Sequence, residues 1–153
     1  MKINWGKVLD VALDAGATVA KTELWVNEKI RELSDNRTQN QALVEIAYEV
    51  AKMDNDAWQY LRLHLDIKAG KNETAGFMLK YCNYVVNLES SKIKGLLAAN
   101  VNEAFEALQF DFRNGMDVFE MAAHYGILAA YGETSPKANS LTQAFGKLLN
   151  SGQ

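Results

Sequence analysis

Residues 38–53 have the sequence TQNQALVEIAYEVAKM, in which apolar side chains recur at steps of three and four residues. This spacing places four of them on one face of an α-helix, where they can enter a shared core: Leu43, Ile46, Ala47 and Val50. Similar stripes lie on both sides of this stretch, and the only proline of the chain is Pro136. Because proline breaks a helix interior, its absence from the first 135 residues favours helix almost throughout. The pattern predicts an all-α protein.

Capping residues and turn signals divide the chain into about six or seven helices. The first is predicted from Asn4 to about Leu33, which at ~1.5 Å per residue makes it roughly 43 Å long. The others are predicted at about 38–53, 54–69, 72–88, 92–114, 117–131 and 135–150, with the Ser90-Ser91 pair separating or merely bending two of them. Short connections and 48% hydrophobic residues in 153 predict a compact single-domain bundle spanning residues 1–153.

Specific capping chemistry is predicted at most of the helix ends. Thr38 with Gln41 and Asp117 with Glu120 match the capping-box pattern, in which the two side chains satisfy each other's backbone N–H groups. We expect Asp54 or Asp56 and then Asn72 to start the helices between them, and Gly70 to end the first of these as a C-cap.

Charge and cysteine content narrow the function classes. Sixteen basic and nineteen acidic residues are interspersed and give a net charge of −3. This charge argues against non-specific electrostatic binding of nucleic acid, and it favours a protein partner with a basic or mixed surface. A single cysteine, Cys82, excludes an internal disulfide, and residues 1–20 lack the pattern of a secretory signal, so we expect a cytoplasmic protein. Charges interrupt the longest apolar stretch, residues 8–26, so no membrane span is predicted.

The predicted first helix has an unusually wide apolar face bordered by acidic side chains. Two interpretations stay open: a central helix surrounded by the others, or an exposed arm that binds a protein partner or a second copy of the chain. The second interpretation predicts these partner-binding residues: Trp5, Asp10, Asp14, Leu24, Trp25 and Glu28.

Motifs for catalysis, metals and nucleotides are absent from the sequence. Glu120 and His124 share a helix face, but no Glu-x-x-His occurs, and His64 and His124 are the only histidines. The glycines form neither a P-loop nor a dinucleotide-binding fingerprint. We therefore expect no cofactor and no resident metal.

Two hypotheses about function remain. The first is a non-enzymatic interaction domain, such as an adaptor, an inhibitor or an immunity-type factor, that acts through helical surfaces. The second is a bundle with an internal pocket for a small ligand, or for catalysis, around His64, Cys82 and His124. The second requires these three side chains to converge on one cavity.

Overall fold

A computed structural model of the protein describes residues 15–91 and 114–131, and the structural statements below concern these residues. They form five helices: α1 (Ala15–Leu33), α2 (Gln39–Lys52), α3 (Asn55–Ala69), α4 (Glu73–Ser91) and α5 (Val118–Tyr131). No strand occurs in this part of the chain, so the prediction of an all-α protein is confirmed. The predicted start of the first helix at Asn4, the helix predicted at about 92–114 and the helix predicted at 135–150 lie outside the described residues.

The ends of the helices follow the predicted capping in three cases. The carboxylate of Asp54 accepts a hydrogen bond from the Ala57 N–H at 2.8 Å, and the Asn72 side chain accepts one from the Ala75 N–H at 3.0 Å. Asp117 accepts one from the Phe119 N–H at 2.8 Å, so it caps α5 as predicted, but through Phe119 and not through the Glu120 N–H of the predicted capping box. These bonds satisfy backbone donors that have no partner within the first turn.

The prediction of a capping box at Thr38 needs correction, whereas the prediction of a C-cap at Gly70 is confirmed. Thr38 occupies the N-cap position of α2, but its hydroxyl donates to the Glu32 carbonyl at 2.8 Å and makes no cap hydrogen bond. The connection from α1 therefore uses the hydroxyl that the capping box with Gln41 would need. Gly70 is the C-cap residue of α3, as predicted, and it adopts φ −65° in the right-handed region, where many C-cap glycines are left-handed.

The core is built around α2 and α5, which pack along each other. Gly126 of α5 faces Ala47 and the backbone of α2 so closely that a side chain would not fit between them. The helices α1 and α4 also pack on α2, and α3 packs on α4. The largest fully buried side chains come from the four helices α2 to α5: Leu43, Ile46, Leu61, Leu65, Met78, Met121, Tyr125, Ile127 and Leu128.

Polar contacts also join α2 to α4 and to α1. The buried Tyr81 hydroxyl of α4 donates to the Leu43 carbonyl of α2 at 2.9 Å. The Lys29 ammonium of α1 binds Glu45 of α2 and, at 2.8 Å, Glu32 of its own helix. In the described part of the chain, none of the helices has both the length and the apolar character needed to cross a membrane.

Candidate functional site

A polar cavity of about 350 Å³ lies where α1, α3 and the start of α4 meet. Its lining combines four titratable side chains with one amide and one exposed apolar residue: Glu23, His64, Lys68, Lys71, Asn72 and Ile67. We call this the polar cavity. Its volume falls near the lower end of the ~300–1,000 Å³ range typical of small-molecule sites.

Glu23 of α1 connects the polar cavity to α3 through two side chains one helical turn apart. Its Oε1 accepts a hydrogen bond from Lys68 Nζ at 2.7 Å, and its Oε2 lies 3.2 Å from His64 Nε2. The hydrogen bond from Lys68 is the main cause that lowers the pKa of Glu23, and a hydrogen bond from Asn27 adds to it. Glu23 is therefore ionised at neutral pH.

His64 lies within the polar cavity with its Nε2 buried. The contact with Glu23 is close, but its alignment does not make a hydrogen bond, so Nε2 has no hydrogen-bond partner among the described residues. Burial lowers the pKa of His64 from its ordinary value of 6.5; the Glu23 carboxylate opposes this shift, and the Lys68 charge adds to it. The imidazole is therefore mostly neutral at pH 7.

The lowered pKa of His64 predicts a loss of stability on mild acidification. Below about pH 6.5 the unfolded chain takes up a proton at this residue more readily than the folded chain, so the free energy of unfolding falls as the pH falls. We expect His64→Gln to reduce the slope of unfolding free energy against pH between about pH 6.5 and pH 5. Urea unfolding at a series of pH values measures this slope. Equal slopes in the two proteins would contradict the assignment.

A second candidate surface lies between α4 and α5, where two adjoining pockets share Phe77 and Phe119. The two rings meet edge to face, with centroids 5.6 Å apart and an angle of 67° between their planes. Lys80, Tyr81, Tyr84 and Glu120 complete one pocket, of about 230 Å³. The other, of about 210 Å³, is completed by Leu33, Gln39, Glu73 and Thr74. We call the two pockets together the aromatic groove.

The rim of the aromatic groove carries more negative than positive charge. Glu73 borders one pocket, and Glu120 borders the other together with a single cation, Lys80. Burial raises the pKa of the Tyr84 hydroxyl, and the Glu120 and Asp117 carboxylates raise it further. Both carboxylates therefore act on the groove wall, and the surface combines the exposed Phe119 ring and the half-buried Phe77 ring with a negative potential.

The residues predicted to bind a partner on the first helix have different environments. Leu24 is 70% exposed and Glu28 is exposed, as a binding surface requires. Trp25 is only 4% exposed and belongs to the core, so its side chain is not presented to a partner. The prediction assigned Leu24 and Trp25 to one binding surface, but adjacent positions on a helix differ by about 100°. Trp5, Asp10 and Asp14 lie outside the described residues.

The three residues of the second hypothesis lie in different surroundings. His64 lines the polar cavity, whose lining includes neither Cys82 nor His124. Cys82 is fully buried, and burial raises its thiol pKa to about 12, which keeps it protonated and unreactive at neutral pH. His124 is buried on α5, with its Nδ1 2.6 Å from the Glu120 carbonyl. Among the described residues, no group of three or more His, Cys, Asp or Glu side chains is arranged to hold a metal ion.

Sequence reasoning missed both the partner of His64 and the aromatic groove. Asp66 is too close in the chain to orient His64, and Glu23, which does approach it, is on another helix. Phe77 and Phe119 likewise come from separate helices, so no local pattern links them. The one local signal was the four-residue spacing of His64 and Lys68, which places both on the face of α3 that meets Glu23.

In comparisons with known proteins, no protein-family model, curated protein sequence or solved structure matches this chain.

Proposed function

We propose that this protein is a non-enzymatic interaction domain and that the aromatic groove binds a protein partner. The observation that carries the proposal is the edge-to-face pair of Phe77 and Phe119, which separates two adjoining pockets at the surface. Aromatic side chains are enriched at protein interfaces, where they supply contact area at a low cost in conformational entropy. Phe119 is 41% exposed, so part of its ring is available for contact with a partner.

The dimensions of the groove favour side chains of a protein over a free metabolite. The pockets, of about 230 and 210 Å³, are each smaller than the ~300 Å³ at which small-molecule sites usually begin. Two adjoining pockets of this size suit two apolar side chains of one segment, as in helix-in-groove recognition. The rim carries Glu73 and Glu120 against the single cation Lys80, and this excess of negative charge favours a segment that also carries lysine or arginine. This agrees with the basic or mixed partner surface expected from the net charge of −3.

Affinity capture from native lysate with matched variants tests this proposal. Phe119→Glu places a charge between the two pockets, and we expect it to abolish capture of a protein that the unmodified chain binds stoichiometrically. Leu63→Glu is the matched control, because Leu63 is also an exposed apolar residue, at 55%, but lines neither the groove nor the polar cavity. Circular dichroism verifies that both variants fold. If both variants lose the partner equally, or if Phe119→Glu still captures it, the aromatic groove is excluded as the binding surface.

The first-helix face remains a second proposed surface, because Leu24 and Glu28 are exposed on α1. It is the surface through which a homodimer was predicted. Adding Leu24→Glu to the same capture experiment, with the molar mass measured by light scattering, separates the two surfaces. Loss of partner or dimer in Leu24→Glu alone would favour the α1 face. We place the interaction in the cytoplasm, a setting supported by the single buried cysteine.

A further inference from the structure

The polar cavity has an uneven distribution of charge. Two lysines and a histidine surround a single carboxylate, so one net positive charge remains when His64 is neutral. Lys68 is committed to Glu23 through the 2.7 Å hydrogen bond. Lys71 is exposed, and no ion pair joins it to the described residues, which leaves its ammonium free to meet a ligand.

His64 provides a second, independent feature of the polar cavity. Its Nε2 is buried and makes no hydrogen bond in the described part of the protein, although the Glu23 Oε2 lies 3.2 Å away. A buried polar atom without a partner is unfavourable, and a ligand oxygen that accepts a hydrogen bond from this nitrogen would relieve the cost. Such an oxygen must also be compatible with the nearby Lys68 and Lys71, which favours an anionic ligand.

The start of α4 adds a favourable dipole to the same cavity. Asn72 lines the cavity and caps α4 through its bond to the Ala75 N–H, so the first turn of this 19-residue helix lies at the cavity wall. The N-terminus of a helix carries a partial positive charge and favours anions. The apolar side chain of Ile67 forms another part of the wall.

We propose that the polar cavity binds a small oxyanion, a phosphate or a carboxylate, through Lys71 and His64, with Lys68 and the start of α4 contributing positive potential. Glu23 holds Lys68 in place through their hydrogen bond. The site is separate from the aromatic groove, since the linings of the two share no residue. Its occupancy does not depend on the proposed protein partner.

Proton NMR of the full chain tests this proposal, because His64 and His124 are the only histidines. The His64→Gln variant assigns the two ring signals. We expect inorganic phosphate to shift the His64 signal saturably and to raise the pKa of His64, while His124, which does not line the cavity, serves as the internal reference. Sodium chloride at the same ionic strength controls for screening. Parallel titration with succinate distinguishes phosphate from carboxylate as the preferred oxyanion.

Two charge-neutralising variants make the test specific to the cavity. We expect Lys71→Gln to weaken binding of the preferred oxyanion by about tenfold. Lys80→Gln is the matched control, because it also removes one exposed lysine but lies on the aromatic groove; its binding should equal that of the unmodified chain. The proposal is overturned if neither oxyanion gives a saturable shift beyond that of sodium chloride, or if both variants bind with equal affinity.

Discussion

Replacement of Gly126 by alanine is expected to lower the free energy of unfolding by about 3 kcal/mol. A β-carbon at this position would lie 2.5 Å from the Ala47 Cβ, 2.6 Å from the Val44 carbonyl oxygen and 2.8 Å from the Tyr48 nitrogen. Two of these three atoms belong to the backbone of α2 and cannot move aside by a change of rotamer. The helices α2 and α5 would have to separate, which loosens the packing at the centre of the core. Urea unfolding of both proteins measures the difference.

Gly76→Ala is the matched control for Gly126→Ala. Gly76 also lies within a helix, α4, but the nearest atom to a β-carbon there is the Ala69 Cβ at 3.9 Å, an ordinary van der Waals distance. Alanine has a higher helix propensity than glycine, so we expect Gly76→Ala to be neutral or to stabilise the protein by about 0.5–1 kcal/mol. Effects of the same sign and size in the two variants would show that the α2–α5 contact does not control stability.

The contact between α2 and α5 also shows what the sequence could and could not predict. The stripe of Leu43, Ile46, Ala47 and Val50 was assigned to the core, and all four are buried. For α5, the spacing of three and four predicts one stripe, formed by Val118, Met121, Ala122, Tyr125 and Leu128. Four residues outside that stripe are buried as well: Ala123, His124, Ile127 and Ala129. A helix that is apolar on all sides lies inside a fold. Residues 121–130, MAAHYGILAA, contain this signal, and the glycine among them marks the close approach.

Short-range hydrogen bonds from capping side chains explain why several helix ends could be predicted, and contacts between helices explain why the Thr38 cap could not. Asp54, Asn72 and Asp117 cap the helices that follow them because each side chain reaches a nearby N–H without help from elsewhere. Thr38 departs from the pattern because the Glu32 carbonyl at the end of α1 competes for its hydroxyl. Such competition depends on how the two helices meet, which no single-helix pattern encodes.

Both candidate sites depend on pairs of residues from different helices. Lys68 and Glu23 are separated by 45 positions in the sequence, so their hydrogen bond could not be found from spacing. The sequence grouped His64 and Cys82 in one hypothetical pocket, but Cys82 is fully buried and does not line the polar cavity that contains His64. It did not indicate which titratable groups share a cavity, because helix packing determines that.

Replacement of Lys29 by alanine is the second large effect we expect, a loss of about 3 kcal/mol in the free energy of unfolding. Lys29 is 6% exposed, and its ammonium joins α1 to α2 through Glu45 and binds Glu32 at 2.8 Å. Burial opposes the charged form, but the hydrogen bonds to the two carboxylates outweigh it and raise the pKa of Lys29. Alanine removes both the ion pairs and the aliphatic stem that fills this part of the core.

Lys29→Met separates these two contributions, because methionine retains most of the apolar volume and removes the charge. Glu32 and Glu45 keep partial contact with water, at 23% and 43% side-chain exposure, so both can be hydrated after the lysine is lost. We therefore expect Lys29→Met to cost less than about 1 kcal/mol in urea unfolding at neutral pH. Lys21→Ala, at an exposed position of the same helix, controls for helix propensity and should change stability by less than about 0.5 kcal/mol. A methionine variant as unstable as the alanine variant would show that the ion pairs, and not the packed stem, hold α1 against α2.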